Sequence, residues 1–134
     1  MSRIDLAINY KNKGLNCAEA ILKAYSDVVE VDFEVLQRIG SGFGIGMGCF
    51  EATCGSLIGA NIILGLLNNN PMKKTMTMSS KLVSKFKELS KDITCKVLKG
   101  IDTGVVLCKC VDCVKNACIA LESVLKEEGI LINA

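Results

Sequence analysis

Eight cysteines and no histidine in 134 residues set the terms on which this chain could do chemistry. Thiolates are nucleophiles, redox couples and soft metal ligands. Without imidazole there is no Cys/His zinc finger, no histidine-ligated haem, no Rieske-type cluster and no Ser-His or Cys-His nucleophile pair. Cys110 and Cys113 form a CxxC, and Cys108 makes a CxC with Cys110. A CxxC fits a zinc half-site, a cluster half-site or a dithiol redox pair. Cys17, Cys54 and Cys95 stand far apart, at intervals that match no standard ferredoxin or zinc-ribbon spacing. If four such thiolates converge in space, they form the ligand set of a [2Fe–2S] or [4Fe–4S] cluster or of a structural zinc.

The segment from Gly40 to Gly65 holds eight of the twelve glycines, with Cys49, Cys54 and a single charged residue, Glu51. A stretch that gives up bulk and charge lets backbone come close to something, either another helix or an inorganic or thiol centre. The Gly55-x-x-x-Gly59 spacing reads first as a close helix–helix contact, which is compatible with a cofactor cradle. The GxG repeats between Gly40 and Gly48 are not a nucleotide loop, since no strand precedes them and no acidic ribose partner follows.

The elements that must position these residues read as helices throughout, with no convincing strand. Arg3 to Lys11 puts Ile4, Ala7 and Ile8 on one side. Asn16 and Glu19 make a capping box that starts a helix whose apolar stripe runs Ala18, Ile21, Leu22, Tyr25, Val28 and Val29. Asp32 caps a third helix through Phe33, Leu36 and Ile39. A central helix is expected over Ala52–Leu67, ended by Asn68, Asn69, Asn70 and Pro71. Residues 73–94 form an amphipathic helix with Leu82, Phe86, Leu89 and Ile93 inward, and Cys95 follows its C-terminus. The last helix begins near Asp112 and stops at Gly129. The expectation is an all-α, single-domain bundle of about six helices spanning residues 1–134. In it Cys17, Cys54 and the Cys110/Cys113 pair lie at or near helix N-termini, where the dipole favours thiolates, and Cys95 does not.

Composition supports that frame: half of the residues are apolar, 4% are aromatic and there is one proline. A net charge of +2 is too small to argue for nucleic acid as a partner. Residues 1–70 carry −2 and residues 71–134 carry +4, mostly a lysine-rich solvated helix face. The N-terminus shows no signal-peptide pattern, so the chain is expected in the cytoplasm, where a reducing milieu disfavours structural disulfides. The uncharged run from Ala52 to Met72 is broken by asparagines and proline, too early for a membrane span. The high apolar content with little charge between Ile39 and Met72 makes a homodimer a reasonable expectation. Cys118 reads as a buried small hydrophobe, Cys49 as packing or as a pair with Cys54, and Met72, Met76 and Met78 as packing at a helix start.

Four blocks, taken in order, resemble a known family. Asn16-Cys17-Ala18-Glu19-Ala20, Cys54-Gly55-Ser56-Leu57-Ile58-Gly59-Ala60, Cys95 to Asp102 and Cys110 to Ala117 look like the C_GCAxxG_C_C family of small helical redox-active proteins. A related domain in split-Soret cytochromes carries an iron–sulfur centre beside haem; no haem-attachment motif occurs here. The resemblance implies that Cys17, Cys54, Cys95 and Cys110 are the functional set, with Gly55 and Gly59 beside the cofactor. Ser56 stands where the family has alanine, adding a hydroxyl near the implied centre. Cys113 stands where a non-cysteine is expected, which leaves it an alternative fourth ligand.

Three functions follow. The first is a four-cysteine iron–sulfur protein, [2Fe–2S] favoured, for electron transfer or redox sensing with a redox partner protein that no residue pattern identifies. The second is a thiol–disulfide redox protein using Cys110/Cys113 or Cys49/Cys54, with no metal. The third is an interaction module stabilised by four-cysteine zinc.

Overall fold

The computed structural model describes residues 2–68, 71–130 and 132, without the side chains of 71–73. Asn69, Asn70 and the side chain of Met72, which entered the expectations above, lie outside the described residues. The chain runs through α1 (Arg3–Asn12), α2 (Cys17–Ala24), α3 (Ser26–Val29), α4 (Phe33–Gly40), a π-type turn (Gly46–Phe50), α5 (Gly55–Leu67), α6 (Pro71–Ser90), α7 (Cys95–Lys99) and α8 (Cys110–Glu127). Among the described residues there is no strand, only an isolated antiparallel bridge between Thr53 and Thr94. Six of these helices are long, so the all-α bundle is as expected. None of the described helices is long and apolar enough to cross a membrane.

Local chemistry accounts for the boundaries. The Asn16 side chain accepts from the Glu19 N–H at 2.8 Å and Glu19 accepts from the Asn16 N–H at 3.0 Å, so the capping box forms as read. The helix that follows stops at Ala24 instead of running on to Val29. The Ser26 hydroxyl donates to the Lys23 carbonyl at 2.9 Å and the Arg3 guanidinium to the Ala24 carbonyl at 2.9 Å, taking acceptors that a continuous helix would use. Helix α5 starts at Gly55, not Ala52, because residues 52–54 are spent on a paired segment. There the Cys54 N–H donates to Ile93 O at 2.7 Å and the Cys95 N–H to Ala52 O at 3.0 Å. Helix α6 ends at Ser90 rather than residue 94, as Asp92 accepts from the N–H groups of Ile93 and Thr94 in an Asx turn. Cys95 therefore opens a helix of its own, correcting the expectation that it trails one.

The core lies between α2, α5, α6 and α8, with Ile21, Leu22, Ile63, Leu64, Leu82, Phe86, Leu121 and Leu125 fully buried. Leu89, expected inward, is 43% exposed, and Met76 is 84% exposed while Met78 is buried. Helix α5 approaches α2 so closely that a Cβ on Gly59 would come within 3.0 Å of Ala18 O and 3.4 Å of Ile21 Cβ. A Cβ on Gly55 would meet Phe43 O at 2.5 Å, a backbone atom with no room to yield. At Gly65 the same helix has open space. Gly55→Ala is expected to cost about 1–3 kcal/mol by overpacking. Gly65→Ala should stabilise by about 0.4–1 kcal/mol through the unfolded chain. Urea unfolding of the two variants, scored against each other, checks the contact.

Candidate functional site

Four helix starts meet at one end of the bundle. Cys17 is the first residue of α2, Cys54 is the N-cap of α5, Cys95 is the first residue of α7, and Cys110 is the first residue of α8. The paired segment sets Cys54 and Cys95 side by side, and the α2–α5 contact sets Cys17 beside Cys54. Helix α8 opens at Cys110, two residues before the expected start, because Lys109 serves as N-cap with extended backbone. The four sulfur-bearing residues line a single cavity of about 240 Å³, together with Lys11, Asn16, Ile45, Gly55 and Lys99. Gly59, one turn further along α5, packs on α2 and does not line it.

The loop over this cavity is strained. Ile45, Met47 and Phe50 adopt positive φ of 54°, 59° and 65°, a region that costs a branched or bulky side chain energy. Gly46, also at positive φ, is pressed against Cys95: a Cβ there would lie 2.6 Å from the Cys95 Cβ. Cys49 is exposed on this loop and its thiol donates to Gly46 O at 3.5 Å.

The thiols are electrostatically unequal. Cys110 is pushed down to about 5: the Cys17 thiol donates to it, burial opposes, and the Lys99 ammonium donates to its sulfur. The Cys17 thiol is correspondingly raised, since it serves as donor to Cys110 and is buried beside Cys54. Cys54 is pushed down to about 6, with the Cys113 thiol as donor and burial working against it, while Cys113 is raised as that donor. Burial raises Cys95. A helix N-terminus alone therefore does not decide protonation, contrary to the expectation for Cys17 and Cys113; the neighbouring thiol does. Burial pushes Cys118 up to about 12, as suits a thiol packed in the core.

Lys99 was not singled out by the residue pattern. It lies four residues after Cys95 on α7, and that spacing on one helix face was the available signal. Burial lowers its ammonium's pKa, but the Cys110 thiolate outweighs this and the net shift is upward. Ser56 Oγ is buried with no hydrogen-bond partner in good geometry among the described residues, and its hydroxyl lies near enough to Cys17 and Cys54 to favour both thiolates. Cys113 is fully buried behind Cys54 and does not reach the cavity. Among the described residues no three cysteine, aspartate or glutamate side chains close on one point as a cage for a single ion.

The donor set fits an anionic sulfur-ligated group. Four thiols border one space, two of them favoured as thiolates, with Lys99 and Lys11 in the same wall. In metal-free protein, iodoacetamide labelling of half-buried Cys110 should remain fast on acidification until its midpoint near pH 5, where the thiolate is protonated. Lys99→Met removes the cation that favours the thiolate, so the midpoint should rise, by roughly one unit. Mass spectrometry of the labelled peptide reads both midpoints.

The model of a protein family described as "Putative redox-active protein (C_GCAxxG_C_C)" matches residues 15–124. No curated protein and no solved structure matches the chain.

Proposed function

The chain belongs to the C_GCAxxG_C_C family of cysteine-rich, redox-active proteins, and we propose that it holds an iron–sulfur cluster, [2Fe–2S] in preference, through Cys17, Cys54, Cys95 and Cys110. The observation that carries this reading is the cavity itself: four thiols from four separate helix starts on one space of about 240 Å³. When bound, the cluster supplies reversible one-electron transfer, for electron transport or redox sensing. The side chains do the rest. Cys54 and Cys110 stand ready as thiolates, and Lys99 and Lys11 offset the negative charge that four thiolates bring. The otherwise orphaned Ser56 hydroxyl would donate to ligand sulfur, and such hydrogen bonds tune a cluster's potential. Cys110 is preferred to Cys113 as fourth ligand because it borders the cavity and Cys113 lies behind Cys54. The spread of the sulfurs around a cavity, without a cage for one ion among the described residues, suits a polynuclear centre better than a single zinc.

A second reading rests on the Cys17/Cys110 contact. A thiolate favoured by a donating thiol and by Lys99 suits a dithiol couple, which adds Cys17/Cys110 to Cys110/Cys113 and Cys49/Cys54 as a candidate exchanging pair.

Anaerobic purification followed by iron, sulfide and zinc analysis separates them. The cluster reading expects brown protein with iron and acid-labile sulfide that bleaches on dithionite; colourless, iron-free protein from the same preparation rejects it. Cys54→Ser should lose the chromophore, and Cys118→Ser should keep it, because Cys118 is wholly within the core. Loss in both variants would identify packing, not ligation, as the cause.

A further inference from the structure

Neither Cys108 nor Cys113 lines the cavity. Cys108 ends the loop before α8, is 6% exposed, and lines a second groove of about 410 Å³ with Leu89, Val106, Leu107, Lys109 and Lys115. Asn116 holds it in place: its Nδ2 donates to Cys108 Sγ at 3.6 Å and to Ser90 Oγ at 2.9 Å. Beneath it lies Cys113, fully buried, with its N–H on Lys109 O at 2.8 Å and its Sγ donating to Cys108 O at 3.7 Å. The Cys113 thiol also meets the Cys108 side chain directly, so the two sulfurs are neighbours. The result is a groove-facing thiol with a second thiol directly behind it.

We propose that Cys108 and Cys113 form a second dithiol site, oxidised to a disulfide by low-molecular-weight disulfides that carry carboxylates. Access sets the order of events, since Cys113 has no solvent path and Cys108 lines the groove. Exposed Leu89, Val106 and Leu107 offer apolar contact for the body of the substrate. Lys109 and Lys115 against Asp112 leave the groove cationic, which favours an anionic disulfide.

The Cys108 sulfur attacks one substrate sulfur and gives up its proton to the departing thiolate. The substrate S–S bond breaks, one thiol leaves, and Cys108 carries a mixed disulfide. The Cys113 sulfur then attacks the Cys108 sulfur, its proton passing to the second departing thiolate. In sum, two protein thiols are oxidised by two electrons and one disulfide is reduced to two thiols. The site is distinct from the Cys110/Cys113 pair of the CxxC motif and stands whether or not a cluster is bound.

The full chain, as purified, is equilibrated with buffers of reduced and oxidised glutathione, alkylated and digested with trypsin. Cleavage after Lys109 separates peptide 100–109, with Cys108, from peptide 110–115, with Cys110 and Cys113. The disulfide therefore appears as a linked pair whose fragmentation names the partner. The expected link is Cys108–Cys113, rising with the oxidised fraction. Cys113→Ser should arrest at glutathionylated Cys108, and Cys108→Ser should lose both link and adduct. Replacing Lys109 and Lys115 with alanine, with the adduct then read by intact mass because both cleavage sites are lost, should slow adduct formation by about tenfold with oxidised glutathione but not with uncharged hydroxyethyl disulfide. Links through Cys110 instead, or a Cys113→Ser protein with native circular dichroism and no adduct at Cys108, overturn the proposal. Iron measured on the same samples scores the cluster reading separately.

Discussion

Helix α5 lies against α2 with no room for a side chain at Gly59, which meets the Ala18 carbonyl. Gly55 is pressed against the Phe43 carbonyl of the segment after α4, and a Cβ on it would lie 3.5 Å from Ala18 N. Cys17 immediately precedes Ala18 and Cys54 immediately precedes Gly55. The approach that packs the two central helices therefore also sets two thiols side by side at their common end. A wider separation, of the kind that alanine or leucine at these positions would impose, would pull the sulfurs apart as it loosened the core. The remaining thiols are hung on this frame. The paired backbone of residues 52–54 and 93–95 ties Cys95 to Cys54, and α8, packed on α1, α5 and α6, brings Cys110 to the same end.

Gathering thiols into a partly dry space carries an electrostatic cost, and the site meets it by hydrogen bonding as well as by charge. Each lowered thiol has a neighbouring thiol as donor, Cys17 for Cys110 and Cys113 for Cys54. Among the described residues, Cys110 alone of the two has a cation directly on it, from Lys99. The loop that closes over the cavity holds three bulky residues at positive φ, and such backbone persists only where the surroundings over-determine it. Here Gly46 wedged on Cys95 is one such constraint.

Much of this was legible in the residues. The Asn16–Glu19 capping box, the α8 stripe and the Gly-x-x-x-Gly contact follow from local chemistry and helical period and form as read, whereas α2 ends at Ala24, short of its full stripe, and Leu89 on α6 faces outward. The boundaries that failed did so where a distant group intervened. Arg3 reached across to end α2 at Ala24, and Ile93 drew residues 52–54 out of the helix. Lys99 escaped notice because a lysine on an amphipathic helix is ordinarily solvated, and only the fold turns this one towards a sulfur.

The sequence by itself determined the chemistry: thiols without imidazole, an all-helical bundle, and four cysteine blocks belonging to one family. These are matters of residue type and local period, which need no neighbours from elsewhere in the chain. Only the tertiary structure decided which sulfurs share a space, that Cys110 and not Cys113 borders it, and which thiol of each pair gives up its proton. The reason is that proximity, burial and hydrogen bonding between residues tens of positions apart arise from packing, and pKa follows from them.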